Sequence, residues 1–383
     1  MATAPEDRPL PDQVEGAPHP RETRTLYGQQ AAEAEFLDSF NTGRLHSGWL
    51  ITGPRGVGKA TLAWKIAGFL LSQPRAETED GLFGDAPPEP DRLDVDPEHP
   101  DMRLLASGAH PRLFVLRRAW EEKTEKLKTV ITVEEVRKLR GFFGMSAADG
   151  GRRVVIVDAA DEMNVNAANA ILKLLEEPPE GATVLMVAHQ PSRLLPTIRS
   201  RCRVLRCGLL TPDDMGHALA QADSHTDAPA ALAALTGGSV GEAIRLVNLD
   251  GLAIYGELVS LVDAPAGFDR PRAIKLAETS AGRGSDARFT LTLDLIDRFL
   301  SRAARTGLEG PPTDQAAPGE ARLLARLAPD ASAARAWADL AQEVSDRTRH
   351  GKAVNLDPAL LILDTLFRIE QTVQSTTANT TTA

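Results

Sequence analysis

Cysteine is almost absent from this sequence, since Cys202 and Cys207 are the two thiols among 383 residues. Two thiols five residues apart provide neither a disulfide framework nor the four ligands of a structural zinc site. This excludes the chemistry of cross-linked secreted domains and of zinc modules. We expect reduced thiols, no zinc and no other metal centre.

Long apolar runs are also lacking, because no stretch approaches the roughly 18 residues that a membrane-spanning helix requires. The first 20 residues carry five prolines and no apolar segment, which is not the pattern of a signal peptide. We therefore predict a cytoplasmic protein without membrane contact. Disordered tails are expected over residues 1–20 and over the threonine-rich residues 372–383.

The chain has no excess of positive charge, and its formal net charge is −10. The whole surface does not attract nucleic acid, so any contact with primed DNA must come from a local patch. The candidate patch is a basic band made of Arg112, Arg117, Arg118, Lys123, Lys126, Lys128, Arg137, Lys138 and Arg140. A solvated helix face with salt bridges to neighbouring acids explains the band equally well.

The first half of the chain contains a regular alternation of strand and helix patterns. Short apolar runs predict strands at 49–52, 114–116, 154–157, 184–187 and 204–205, with amphipathic helical patterns between them. This alternation predicts an α/β domain with a doubly wound parallel sheet over residues 21–210. Beyond Thr211 the strand patterns stop. We expect a small helical domain over 211–250 and a second all-helical region over 251–371.

Residues 53–61 read Gly-Pro-Arg-Gly-Val-Gly-Lys-Ala-Thr and lie between a predicted strand and a predicted helix, the context of a phosphate-binding loop. Backbone N–H groups and an ammonium at such a helix start cradle nucleotide phosphates. The residues expected to bind ATP or ADP are Gly53, Gly56, Gly58, Lys59, Thr61 and, at the end of a buried strand, Asp158.

The loop lacks one functional group of the phosphate-binding pattern, a side-chain hydroxyl. Ala60 stands where a serine or threonine hydroxyl would hold Mg²⁺. Thr61 is the next residue of the helix and is rotated by about 100°, so it faces elsewhere, towards the first phosphate. Mg²⁺ binding is therefore expected to be weak or absent.

Two further sequence motifs are specific in their residues and in their order along the chain. Residues 169–179 read Asn-Ala-Ile-Leu-Lys-Leu-Leu-Glu-Glu-Pro-Pro, and residues 195–202 read Leu-Pro-Thr-Ile-Arg-Ser-Arg-Cys. Behind a phosphate loop and Asp158, they resemble the bacterial clamp-loader ATPases of the DNA polymerase III complex, which are AAA+ proteins. The resemblance covers residues 25–250 by motif. It implies an AAA+ domain, a helical lid over 211–250 and an oligomerising helical collar over 251–371.

In that family, the arginine of the Ser-Arg-Cys run projects into the nucleotide site of the neighbouring subunit. The resemblance thus implies that Arg201 is an arginine finger acting in trans, because a planar guanidinium stabilises charge on phosphate oxygens. The other interpretation is an ordinary surface arginine at the start of a strand. Ser200 and Cys202 are expected to pack and orient the turn.

Three departures from the hydrolysing members accompany Ala60. Ala159 replaces the glutamate that follows the strand-end acid, and Asp161 and Glu162 lie too far along to replace it. Gly241 replaces the arginine that senses the γ-phosphate. The polar sensor expected near Ala188 to Gln190 has no assignment from sequence, with His189 as one candidate.

Loss of hydrolytic groups beside an intact Arg201 resembles the delta prime class, the stator of the loader. The zinc module of such relatives is not expected, because residues 74–100 contain no cysteine. The implied partners are the gamma/tau motor subunits and delta in a hetero-pentamer, with the sliding clamp reached indirectly. Nucleotide is expected to be bound without hydrolysis. The alternatives are an active motor subunit, a small-molecule phosphotransferase and an assembly scaffold that binds no nucleotide.

Overall fold

The computed structural model describes residues 10–73, 89–144, 151–264, 268–282 and 284–381, with side chains up to residue 376. These residues form two compact units. The first unit runs to Asp223 and includes Ser239–Gly241; the second contains Ser224–Gly238 and the chain from Glu242 onwards. The division at 210 and 250 that the sequence suggests stays a prediction.

The first unit is built on a parallel sheet of five strands, in the spatial order β2-β5-β6-β1-β7. A two-stranded antiparallel ribbon of β3 and β4, which the sequence analysis missed, follows β2. The strands are β1 (Gly48–Thr52), β2 (Leu113–Arg117), β3 (Trp120–Glu121), β4 (Lys126–Leu127), β5 (Arg153–Asp158), β6 (Ala182–Ala188) and β7 (Arg203–Arg206). The sheet confirms the predicted α/β class and its five main strands.

Helices cover both faces of this sheet. Side chains along each strand point alternately to the two faces, and both sets are apolar, so each face is buried in its own core. In β1, Trp49 and Ile51 pack with Phe36 in one core, whereas Leu50 packs with Ile171 in the other. The helices of the first unit are α1 (Gln30–Asn41), α2 (Lys59–Ser72), α3 (Pro100–Ala106), α4 (Val133–Gly144), α5 (Val165–Glu176), α6 (Pro196–Arg199) and α7 (Pro212–Gln221).

The segment from residue 10 to residue 20 differs from the expected disorder of residues 1–20. His19 is buried, and its ring lies edge-on to Trp64 of α2, with 5.4 Å between the centroids. Asp12 is buried between His19 and Arg117. The proline-rich sequence indicates disorder because it has few local structural signals. Sequence patterns do not reveal the ion pair of Asp12 with a residue 105 positions away, which holds the segment in place. Residues 1–9 lie outside the described residues.

The second unit is all-helical among the residues that the structure describes. Its core includes the rings of Tyr255, Phe299 and Trp337, whose neighbouring centroids are 6.4 Å apart. The remaining α-helices among the described residues are α8 (Pro229–Thr236), α9 (Val240–Asn248), α10 (Gly251–Val262), α11 (Arg270–Ser280), α12 (Asp286–Glu309), α13 (Glu320–Leu327), α14 (Ala331–Ala353) and α15 (Pro358–Thr381). An all-helical second half confirms the expected loss of strands beyond Thr211.

Helix α15 continues through the threonine-rich end that was expected to be disordered from residue 372. The Thr376 hydroxyl donates to the carbonyl of Thr372 at 2.8 Å, and Ser375 donates to the same carbonyl at 2.9 Å. Hydroxyls bonded back to a carbonyl of the preceding turn keep these residues compatible with a helix. No single helix in the described ranges is long and apolar enough to cross a membrane; α8 and α9 pass that test as a pair, bent by 116°.

Candidate nucleotide site and arginine-bearing edge

The phosphate loop connects β1 to α2 at the carboxyl end of the sheet. Gly53 has φ +144°, and a Cβ added there would lie 2.4 Å from the carbonyl oxygen of Cys207. Gly56 has φ +77°, and a Cβ added there would lie 2.3 Å from the Ser239 hydroxyl. Both positions therefore require glycine for backbone conformation and for space. The sequence predicted the position of the loop correctly. The residues that lie against it, Cys207 and Ser239, come from distant parts of the chain.

The ammonium of Lys59 is directed at its own loop. Nζ donates to the Gly53 carbonyl at 2.8 Å and also to the Pro54 carbonyl, and the residue is 3% exposed. Burial lowers the pKa of Lys59 to about 8, against the opposing influence of Cys207 and Asp158. A phosphate would have to draw this ammonium away from two carbonyls before it could bind there.

Asp158 ends β5 and is buried beside the loop. Burial raises the pKa of Asp158 to about 7; the charges of Asp12 and Glu162 add to the rise, and Lys59 and Arg117 oppose it. The carboxyl group is therefore only partly ionised near neutral pH. Mg²⁺ could bind here only after the carboxyl group releases its proton, a release that the charge of the ion itself favours.

The two acids that follow Asp158 serve structural roles. Asp161 accepts hydrogen bonds from the backbone N–H groups of His189 and Gln190, each at 3.0 Å. Glu162 forms an ion pair with Arg118, with 2.7 Å between Nε and Oε2. Both carboxylates are thus engaged in contacts within the first unit, and we still expect that neither replaces the glutamate missing at Ala159.

Residues 239–241 lie against the phosphate loop within the first unit. The Gly241 N–H donates to the Gly56 carbonyl at 3.1 Å. A Cβ at position 241 would lie 3.2 Å from Cγ2 of Val14 and 3.3 Å from Cα of Gly56. Gly241 therefore supports a close backbone approach, and a long charged side chain there would meet the loop and the N-terminal segment.

The N-terminal segment passes along the same end of the sheet. The carboxylate of Asp12 is 0% exposed; Oδ1 accepts from Arg117 at 2.8 Å, and Oδ2 lies 3.1 Å from Nε2 of His19. Burial opposes its ionisation, but His19 and Arg117 outweigh burial and place the pKa of Asp12 below its ordinary value. A charged carboxylate is thus held near Asp158, where sequence reasoning expected a loose tail.

His189 follows β6 and is close enough to the loop for Lys59 to act on it. Burial, helped by the charge of Lys59, lowers the pKa of His189 to about 4, so the ring is neutral at pH 7. Its Nδ1 atom is buried without a hydrogen-bond partner among the described residues. His189 thus stays the sensor candidate that the sequence named, and it is neutral and buried.

Arg201 lies at the other end of the strands. Its carbonyl and the thiol of Cys202 pack around Gly48, the first residue of β1, at 3.2 and 3.3 Å from a Cβ added there. The guanidinium forms an ion pair with Glu176, the last residue of α5, and a hydrogen bond to the Thr197 carbonyl. The phosphate loop follows the last residue of β1, so Gly53, Gly56, Gly58, Lys59, Thr61 and Asp158 come together and Arg201 stands apart from them.

Three arginines of the basic band are paired with acids. Arg112, Arg117 and Arg118 of the band each form an ion pair with an acid of the same unit.

Burial raises the pKa of Cys202 to about 12 and that of Cys207 to about 11, so both thiols are protonated and unreactive near neutral pH.

Comparison with known proteins finds relatives among the subunits of DNA polymerase III. The family model described as DNA polymerase III, delta subunit, matches residues 28–210. The chain is 42% identical to DNA polymerase III subunit delta' of Pseudomonas aeruginosa over 200 residues, which are 52% of this chain and 55% of that protein. It is 28% identical to subunit delta' of Escherichia coli over 89% of this chain and 93% of that protein.

A solved structure of a DNA polymerase III gamma subunit-related protein from Thermotoga maritima covers 88% of this chain and 99% of its own, at 16% identity and a TM-score of 0.40. The chain spans about half the length of the Pseudomonas relative and nearly all of the Escherichia relative. By these sequence matches, the chain is similar to the bacterial DNA polymerase III delta prime subunits.

Proposed function

We propose that the chain is the stator subunit of a clamp loader and donates Arg201 to the nucleotide site of a neighbouring gamma/tau motor subunit. The observation that carries the proposal is the position of Arg201 at the amino-terminal edge of the sheet. Strand β1 has five residues at roughly 3.3 Å each, so this edge lies roughly 13 Å or more from the phosphate loop. An arginine placed there serves a site on another molecule more readily than its own.

The chemistry of a finger suits the side chain. A guanidinium presents a planar fork of N–H donors that can bridge phosphate oxygens as charge develops on them, and it stays charged at any working pH. The other partners in this proposal are delta on the opposite side of the subunit, the sliding clamp through the assembled hetero-pentamer, and primed DNA inside it. The names of the relatives support membership of the DNA polymerase III machinery.

We further propose that ATP or ADP, where it is bound by this chain, is held without hydrolysis and with little Mg²⁺. Ala60 and Ala159, which lack the hydroxyl and the carboxylate of the hydrolysing relatives, and the engaged carboxylates of Asp161 and Glu162 support this proposal. The same losses are compatible with an assembly scaffold that binds no nucleotide, the second candidate. Titration of the isolated chain with a labelled ATP analogue separates the two, and single-turnover hydrolysis that Lys59→Ala abolishes would favour a motor subunit.

The arginine proposal is tested by Arg201→Ala in the complex reconstituted with motor and delta subunits. We expect the variant to assemble normally and to lower the DNA-stimulated ATPase of the complex. At the single site it serves, removal of a finger costs about 10³-fold or more in turnover. Arg199→Ala is the matched control, because Arg199 is an exposed arginine two residues away. Unchanged ATPase with Arg201→Ala would overturn the assignment.

A further inference from the structure

The guanidinium of Arg201 is held on one side by two acceptors of its own chain. Nη2 lies 2.9 Å from Oε1 of Glu176, and Nη1 donates to the Thr197 carbonyl at 2.9 Å. These contacts use two of the five N–H donors of a guanidinium, so three donors stay available for a phosphate. The side chain is 37% exposed and Glu176 is 46% exposed, so the pair stands at the surface where another molecule can reach it.

Both members of the pair stand on one rigid base. Leu175 and Cys202, the chain neighbours of Glu176 and Arg201, pack against Gly48 at the start of β1. A Cβ added at Gly48 would lie 3.0 Å from the Leu175 side chain and 3.3 Å from the Cys202 thiol. The backbones that carry the carboxylate and the guanidinium are thus fixed to the same strand, and the distance between them is set by core packing.

A pair of this kind contributes little to folding but can select a rotamer. Exposed ion pairs stabilise a fold by about 0–1 kcal/mol, because solvent screens them and two long side chains must be ordered. The same ordering has value at a site that acts on a partner, since an arginine already held in one orientation loses less freedom on contact with phosphate. Arg203 cannot take over this role, because it lies over the Trp49 ring and contacts Glu35.

We propose that Glu176 is the positioning residue of the arginine finger: its carboxylate and the Thr197 carbonyl hold Arg201 so that the free edge of the guanidinium faces the phosphates of the neighbouring subunit. The inference rests on the proposed role of Arg201. Glu176 touches no reacting atom and acts through the arginine. Its loss therefore affects turnover and leaves the affinity of the motor subunit for ATP unchanged.

The experiment measures steady-state ATPase of the reconstituted complex with Glu176→Ala and Glu176→Gln, together with Arg201→Ala and the double variant Arg201→Ala/Glu176→Ala. Loss of the carboxylate is expected to lower kcat about threefold to tenfold at constant KM, the size of a misplacement and not of a missing group. Glu176→Gln keeps an acceptor and should recover part of the loss. Glu177→Ala, the adjacent exposed acid, is the matched control and should leave kcat unchanged.

The double variant distinguishes a role of Glu176 that acts through Arg201 from a role that is independent of Arg201. If Glu176 acts through the arginine, the double variant turns over at the rate of Arg201→Ala alone. A further loss in the double variant, a raised KM, or a kcat that rises with Glu176→Ala would overturn the positioning role. If Arg201→Ala itself changes nothing, the proposed function fails first. Thermal unfolding of each single variant within about 2 °C of the parent chain confirms that the folded subunit is compared.

Discussion

At the scale of single residues, the nucleotide site combines an intact loop with altered chemistry. Ala60 and Ala159 lack the hydroxyl and the carboxylate that hydrolysis requires, as the sequence showed. The structure adds that Asp158 is buried near Asp12 and Glu162, and that burial together with these two charges raises its pKa to about 7. The loop thus has the backbone shape of a phosphate cradle, and the acid beside it is only partly ionised near neutral pH.

The raised pKa of Asp158 predicts a pH dependence of stability. Between about pH 4 and pH 7 the folded state binds a proton at Asp158 that the unfolded state has released, so this contribution is present at low pH and is lost as pH rises through about 7. We expect Asp158→Asn to raise the free energy of unfolding at pH 8 by about 2 to 4 kcal/mol and to flatten the profile. Urea unfolding at a series of pH values measures this. Glu180→Gln, at an exposed position, should leave the profile unchanged, and an equal response of both variants would contradict the prediction.

At the scale of elements, the N-terminal segment is the main addition of the structure. Five prolines in the first 20 residues indicate a loose tail, yet Asp12 and His19 anchor the segment to Arg117 and Trp64. The segment also brings Val14 against Gly241 and a buried carboxylate near Asp158. It therefore adds negative charge to the end of the sheet where a nucleotide would place its phosphates.

Neutralising Asp12 should strengthen nucleotide binding. Asp12→Asn removes a buried negative charge and weakens the attraction that holds the Arg117 guanidinium, and both effects favour a polyphosphate. We expect affinity for a fluorescent ATP analogue to rise about threefold or more, the size of one charge at a distance of several ångströms near a protein surface. Equilibrium titration of the isolated chain measures this. Glu22→Gln changes an exposed charge two residues beyond the segment and should have no effect. Equal affinity of Asp12→Asn and the parent chain would count against the prediction.

At the scale of the whole molecule, the second unit has its own buried polar centre. Glu320 is 0% exposed; Arg302 donates to both of its oxygens, Tyr255 donates its hydroxyl at 2.5 Å, and the Ala316 N–H donates at 2.6 Å. These contacts tie α10, α12 and the loop before α13 together. The composition of this part of the chain, rich in alanine and arginine, gave no sign of such a centre.

Breaking this centre should destabilise the helical unit selectively. Glu320→Ala leaves Arg302 without its buried partner, a loss of about 3 to 5 kcal/mol in the free energy of unfolding. Because the two compact units each have a core, we expect this loss in one part of the chain and not in the other. Hydrogen exchange followed by mass spectrometry should show faster exchange in α10, α12 and α13 and unchanged protection in β1, β5 and β6. Uniform loss of protection across both units would refute the selective effect.

The sequence by itself determined the architecture of the first unit and the identity of the loop. Strand and helix periodicities, the strand-to-helix context of residues 53–61 and the order of the later motifs are local properties of the chain, and local properties can be read from residue order. The missing hydroxyl at Ala60 and the missing carboxylate at Ala159 are equally local. They sufficed to predict a nucleotide cradle without hydrolysis.

Tertiary structure alone decided which groups meet. The burial that shifts the pKa of Lys59 and Asp158, the ion pair of Asp12 with Arg117, and the separation of Arg201 from the phosphate loop all join residues distant in sequence. Desolvation and charge coupling depend on distances in space, and residue order does not contain those distances. For the same reason, residue order does not predict that Glu176 pairs with Arg201. The pair forms because the end of α5 and the start of β7 pack on the same end of β1.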